Sequence, residues 1–294
     1  MRVRLWGTRG SLAAPGADTA RFGGNTACVE VRGCDGTLLV LDAGTGIRLL
    51  GAALGKHAPR RIHVLLSHLH MDHIQGLGFF EALFDPEVET HLWGPAQAAG
   101  ELRDRLARYL SPPLFPVHLR ELPNMTLHAV PRGSFHVGEF LVLADRICHP
   151  GFTVGYRVEG DRGTLAYLSD HEPALGVAHF PLRADWTSGY LLARGVDLLL
   201  HDAQYSLAEY LAHVGWGHSA LEHALAFARL ANVRHLVTFH HDPGHSDDDI
   251  DRLTADATLS AQPSFGVTSG AEGAVFDLGS PHQAAEEVRS TLPK

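Results

Sequence analysis

The chain has 294 residues, a formal net charge of -9 and 45% hydrophobic residues, enough apolar content for one large core or two modest ones. No segment reaches the roughly 20 uninterrupted apolar residues that cross a bilayer. The start MRVRLWGTRG has no long apolar run before a small-residue cleavage site, so neither a membrane span nor a signal peptide is expected. Without a block of Lys and Arg, an extended nucleic-acid partner is disfavoured.

In chain order, VRLW (Val3–Trp6), Ala27–Arg32 and Thr37–Asp42 read as strands punctuated by the Gly-rich GTRGS and GGNT. IHVLLS (Ile62–Ser67) reads as a buried strand, followed by a helix from near His73 through GLGFFEALF. A strand at His91–Gly94 and a helix from Ala96 to Tyr109 precede the stiff loop SPPLFP, Ser111–Pro116. Strand patterns then recur at Thr126–Val130, Phe140–Ile147, Thr153–Glu159 and Thr164–Ser169. The last part offers a strand at Val196–Asp202, a helix at Ser219–Leu230, a strand at His235–His240, and a capping-box pattern, Ser246 with Asp249. Two stretches that each combine strands and helices suggest an α/β fold of four layers, helices outside two central sheets. The expectation is one domain over residues 1–280 with a peripheral tail over 281–294.

Cys28, Cys34 and Cys148 are odd in number and lack CxxC spacing, which points to reduced thiols and a cytoplasmic protein. The 21 histidines gather in short polar groups where apolar runs end. The densest is HLHMDH. On an extended strand end, His68 and His70 point to the same side and reach one cation. The turn that follows lets Asp72 and His73 reach a second. Neutral imidazole and carboxylate suit Zn²⁺, and also Mn²⁺ or Fe²⁺.

HxHxDH after an apolar strand resembles the signature of the metallo-β-lactamase-fold hydrolases, an αββα sandwich. The resemblance implies two divalent ions and further ligands at later strand ends, which His149 in ICHPG, Asp170 in AYLSDHE and His240 in LVTFHHDP supply in order. It implies one ion on His68, His70 and His149 and another on Asp72, His73 and His240, with Asp170 and a hydroxide bridging. Asp42 in VLDAGTG matches an early aspartate that orients a ligand histidine. Strand alternation does not decide between His240 and His241; His240 is preferred because it directly follows the strand.

HDAQY and GWGHSA, in that order, resemble the phosphodiesterase branch that includes ribonuclease Z. There the carry-over makes His218 the general acid and Asp202 the carboxylate beside it, with Asp72 completing the catalytic set. An oxygen leaving phosphorus needs a proton, and a histidine with an acidic neighbour can supply one near pH 7. The sequence departs from the ribonuclease pattern, which has Glu at Asp202 and Thr at Ala220. GTRGS, RFGGNT, LDAGTGIR, DHIQG and FHHDPGHSDD extend the likeness to bacterial proteins described as cyclic-nucleotide or cyclic-phosphate phosphodiesterases. In that group Thr and Trp more often stand at Leu69 and Met71. The implied reaction is attack by a metal-held hydroxide on a small, cyclic phosphodiester, an anionic substrate compatible with a protein that gains positive charge from its metals.

Three other readings stand beside this one. The first, ribonuclease Z-like RNA processing, lacks a basic, glycine-rich arm in this sequence. The second is a thioester or lactam hydrolase on the same scaffold, and the third a metal-containing nucleotide sensor. The expected partner is thus a small phosphodiester, with neither long nucleic acid nor membrane; a homodimer is compatible. GTRGS and GGNT are also candidate phosphate cradles, with Arg9 and Asn25 as substrate contacts, and SPPLFP is a candidate cover for the pocket. Asp247, Asp248 and Asp249 read as favourable charges in a first helical turn.

Overall fold

The computed structural model describes residues 1–279 except 97, 176, 178 and 179. The expected domain limit at residue 280 and the tail 281–294 lie outside the described residues. One seven-stranded sheet takes β1 (Arg2–Gly7), β2 (Cys28–Arg32), β3 (Leu38–Leu41), β4 (Arg61–Leu65), β5 (Glu89–Gly94) and β6 (Met125–Ala129). The second takes β7 (Gly133–Val137), β8 (Phe140–Arg146), β9 (Val154–Gly160), β10 (Gly163–Leu168), β11 (Leu198–Asp202), β12 (His235–Phe239) and β13 (Gly266–Ser269). Last in the chain, β14 (Val275–Asp277) returns to the first sheet and pairs with β1. In both sheets antiparallel pairs give way to a parallel run, β3 to β6 in the first and β10 to β13 in the second.

Alternation along the strands builds three cores. Leu39 and Leu41 of β3 face Tyr156, Val158, Tyr167 and Phe239 of the other sheet in a core between the sheets. Their neighbours Leu38 and Val40 point outward to α1 (Gly46–Leu54) and α3 (Ala99–Leu106), through Ile47, Leu50, Leu102 and Leu106. Ala166, Leu168 and Leu199 do the same on the opposite outer face, against α4 (Tyr190–Ala193), α6 (Leu221–Leu230) and α7 (Asp247–Ala261). This is the αββα arrangement expected from the sequence.

The expected helix after His73 is not continuous. α2 covers only Met71–Ile74, and two 3₁₀ turns follow at Leu77–Phe79 and Glu81–Phe84. Glycines are the reason: a Cβ on Gly76 would stand 2.0 Å from the Gly44 carbonyl oxygen, and one on Gly78 2.5 Å from the Phe115 ring. Close approach is their role, at the expense of helix propensity. The SPPLFP loop supports this packing from outside: Phe115 is buried and meets Phe79 edge to face at 5.9 Å.

The chain leaves β3, β4, β8, β10, β11 and β12 at one end of the sandwich, and each exit carries a polar residue of the site described next. Two tyrosines tie the sheets there: Tyr156 donates to the Leu66 carbonyl at 2.6 Å and Tyr167 to Asp42 at 2.7 Å.

Candidate metal centre

Six histidines and four aspartates meet at this end. Nε2 of His68, the nitrogens of His70 and His149, and an Asp170 oxygen lie within 4.8 Å of one another, a set that can hold one cation. Asp72, His73, Asp170 and His240 form a second such set. Asp170 stands between them. Its Oδ1 is 3.0 Å from Nε2 of His73, while its Oδ2 is 3.2 Å from Nε2 of His240, 3.7 Å from that of His68 and 3.8 Å from that of His149. That is the bridging position the resemblance implied.

The ring tautomers are set from behind. Asp42 accepts from Nδ1 of His73 at 2.7 Å, Gly217 O from His149 at 2.8 Å and Gln204 Oε1 from His240 at 3.0 Å. Ser67 Oγ, itself donating to Asp42, lies 3.0 Å from Nδ1 of His68. Each of these rings therefore directs its Nε2 toward the centre, the arrangement typical of metal-ligating histidines. Among the described residues Nε2 of His68 has no hydrogen-bond partner, and Nε2 of His73 and Oδ1 of Asp170, both buried, are left with only the ion pairs of the cluster itself. Buried polar atoms without full partners are costly, and their convergence at one point fits a cation.

Electrostatics divide the two sets. Burial, with the neighbouring histidines, pushes His68 and His70 below the ordinary imidazole range, and burial does the same to His149. Those rings stay neutral and ready to ligate. Burial opposes charge on His73 and His240 as well, but the flanking carboxylates Asp170 and Asp72 win. They raise His73 well up and His240 to about 9, and the histidines in turn hold both carboxylates ionised. In the metal-free protein, protons therefore occupy the second set.

A third group, Asp202, His218 and His240, is also close enough to ligate, but it is already satisfied. Asp202 Oδ2 lies 2.7 Å from Nδ1 of His218 and also accepts from the His171 amide. Its Oδ1 accepts from the amides of Gln204 and Ser219 at 3.1 and 3.0 Å. His218 stacks on His240 with ring centroids 4.8 Å apart and meets His149 edge to face at 5.1 Å. It sits beside the ligand sets without belonging to either.

Every expected site residue thus converges: His68, His70, Asp72, His73, His149, Asp170, Asp202, His218 and His240, with Asp42 behind them. His241 faces away, its Nε2 2.9 Å from the Gly270 carbonyl. Arg9 and Asn25 are not substrate contacts. Arg9 is fully buried, bonding the carbonyls of Gly23, Asp242 and His245 and pairing with Asp247 at 3.4 Å. Asn25 is spent on Glu272. Within GTRGS, Gly10 packs on the His240 ring, where a Cβ would lie 2.3 Å from Nδ1, and the Ser11 amide is spent on Asp72. Asp247 serves Arg9 rather than only the helix start. SPPLFP does not line the cleft beside His218.

Three contributors carried no role in the sequence reading, although all three lie inside quoted motifs, Glu172 as the last residue of AYLSDHE. Gln204 in HDAQY orients His240, and the amide of Ser11 in GTRGS donates to Asp72 at 2.9 Å. Glu172, buried two residues past Asp170, accepts from the amides of Gly215 and Gly217 and so holds the GWGHS loop. Ser11, Asp42 and His240 all adopt positive φ, 57°, 59° and 60°, a conformation that non-glycine residues keep chiefly where the surroundings enforce it.

The β-lactamase superfamily domain profile matches residues 37–241. Over 234 residues the chain is 25% identical to ribonuclease BN of Cronobacter sakazakii, covering 66% of this chain and 75% of that protein. Over 149 residues it is 36% identical to ribonuclease Z of Brevibacillus brevis, covering 50% of this chain and 41% of that one. Among solved structures, a diphosphatase of the PhnP family superposes with a TM-score of 0.67 at 19% identity, over 95% of this chain and 98% of that one. At that identity the likeness shows the fold. The chain belongs to the β-lactamase superfamily: it is a metallo-β-lactamase-fold hydrolase.

Proposed function

We propose that the protein is a two-metal phosphodiesterase that hydrolyses a small, cyclic phosphodiester such as a cyclic nucleotide. The supporting observation is the His218–Asp202 pair, 2.7 Å apart and placed against both ligand sets while belonging to neither. A thiolate leaves without a proton, so thioester hydrolysis gives such a pair no task, whereas an oxygen leaving phosphorus needs a proton donor.

On this reading His68, His70 and His149 would hold one ion and Asp72, His73 and His240 the other, with Asp170 within reach of both sets. Nitrogen-rich sets of this kind favour zinc, with manganese or iron as alternatives. Divalent ions bound there polarise the diester and make water acidic enough to act as nucleophile near neutral pH. The chain's own residues do the rest. Asp42, Ser67, Gln204 and the Gly217 carbonyl fix the ligand rings. Asp202 accepts a hydrogen bond from Nδ1–H of His218 and so leaves the Nε2 proton for the departing oxygen. Overall, the oxygen of water joins phosphorus, one phosphorus–oxygen ester bond breaks, the leaving oxygen keeps the His218 proton, and the proton shed by water returns through solvent to restore His218.

Ribonuclease Z-like RNA processing is the second reading, favoured by the names of the sequence relatives. The net charge of -9 weighs against a long polyanion. Three free cysteines fit a cytoplasmic setting, and among the described residues no helix is long and apolar enough to cross a membrane. The test is metal analysis of protein purified without chelator, paired with a panel of cyclic nucleotides, model diesters, precursor transfer RNA, a thioester and a lactam. Turnover of cyclic nucleotides at two metals per chain is the expected result. Preference for the RNA, or for the thioester or lactam, would replace this reading.

A further inference from the structure

Beside His218 opens a cleft of about 500 Å³ lined by the aromatic rings of Tyr205, His213 and Trp216 and by Glu209, Asp242 and His245. Its volume lies in the usual range for small-molecule sites, roughly 300–1,000 Å³. The aromatic wall is built. Tyr205 and His213 stack at 4.6 Å and 15°, and Trp216 meets His213 edge-on at 4.7 Å and 86°. Trp216 nevertheless leaves 60% of its surface exposed. Its backbone is pinned on both sides, because Glu172 accepts from the amides of Gly215 and Gly217 at 3.0–3.1 Å. The indole is thus carried on a pinned loop, with 60% of its surface open, beside the stacked rings of Tyr205 and His213.

Charge decides which end of a substrate enters. Glu209, paired with His245 at 2.9 Å, and Asp242 leave two carboxylates to one imidazole in the cleft and so disfavour a phosphate there, whereas the ligand sets against which His218 packs become the cationic end once metals are bound. The cleft therefore receives the uncharged part of the molecule. A flat ring stacks on the indole, and its amino groups and sugar hydroxyls meet carboxylate acceptors.

We propose that this cleft is a nucleoside subsite in which Trp216 stacks the base of the substrate, on the side where His218 protonates the leaving oxygen. The proposal rests on the phosphodiesterase reading and narrows it to nucleoside-bearing diesters.

The test compares metal-loaded parent and W216A on 2′,3′-cyclic AMP and on glycerol 1,2-cyclic phosphate, which has no base. The ratio of their kcat/KM values should fall about 10- to 100-fold in W216A, the effect of losing one base–aromatic stack. W216F should restore most of it, and W186A, an exposed tryptophan outside the cleft, should leave the ratio at the parent value. An unchanged ratio in W216A overturns the proposal. Calorimetry with AMP separates the two readings. If no diester is turned over but AMP binds the parent and is lost in W216A, the subsite stands and the phosphodiesterase reading falls. If AMP binds both proteins equally, the subsite falls.

Discussion

Nδ1 of His218 lies 2.7 Å from Oδ2 of Asp202, a carboxylate that is fully buried and also held by three backbone amides. The acid is thus anchored through β11 and not through the metals. Replacing Asp202 with Asn keeps the shape but turns an acceptor into a donor facing Nδ1, so His218 loses the partner that keeps its proton on the substrate side. The expected outcome for D202N and H218A is a fall in kcat of about a hundredfold or more, with metal content, measured by plasma emission, equal to the parent. Parent-like turnover of a cyclic diester by H218A would remove the role assigned to it.

Asp42 gathers the whole back of the centre: it accepts from the amide and hydroxyl of Ser67, from Tyr167 and from His73. In D42N the new amide donor would face those donors inside a dry interior. Metal retention should weaken about 10- to 100-fold in a chelator competition, and the melting temperature should drop as well, because a buried donor is left unpaired. A variant that holds metal like the parent would show that His73 is oriented by other groups.

Gly10 is required by His240. A methyl group there would lie 2.3 Å from the ring Nδ1 that Gln204 holds. G10A should therefore push the ring off the second ligand set while leaving His68, His70 and His149 intact. Metal stoichiometry should fall by one ion per chain, with most activity lost. Full occupancy by two ions in G10A would mean that the ring has room to move without losing its ligand position.

These dependences mark what the sequence can and cannot reveal. HLHMDH was legible because four ligands fall within six residues at a strand end, so geometry follows from local spacing. His149, Asp170 and His240 were legible only through their order behind strands, since nothing local brings His240 within 3.3 Å of Asp72, 168 positions away. The layers followed from alternation, yet the broken helix after His73 did not. Its glycines are set by Gly44 and Phe115, which belong to other segments. Arg9 misled for a related reason. A charged residue in a Gly-rich turn reads as an anion contact until its burial against Asp247 is seen.

The same distinction governs pH dependence, through two windows that metal loading separates. Burial lowers His201 and His241 to about 4, so between pH 6.5 and 4 the unfolded chain binds protons that the folded one refuses. Stability should fall across that window, on the order of 3 kcal/mol per histidine, with or without metal. His240 behaves oppositely. Burial opposes its charge, but Asp170 and Asp72 raise it to about 9, so in the metal-free protein it adds stability that is complete below 6.5 and lost as pH rises toward 9. His73, raised in the same manner, adds to that loss. A bound cation requires both rings deprotonated, which cancels this upper window. Urea denaturation of the chelated protein should therefore give maximal stability near pH 6.5, declining on both sides. The metal-loaded protein should decline only on the acid side. A chelated protein whose stability is flat from pH 6.5 to 9 would show that His73 and His240 do not share their protons with Asp72 and Asp170 as the geometry requires.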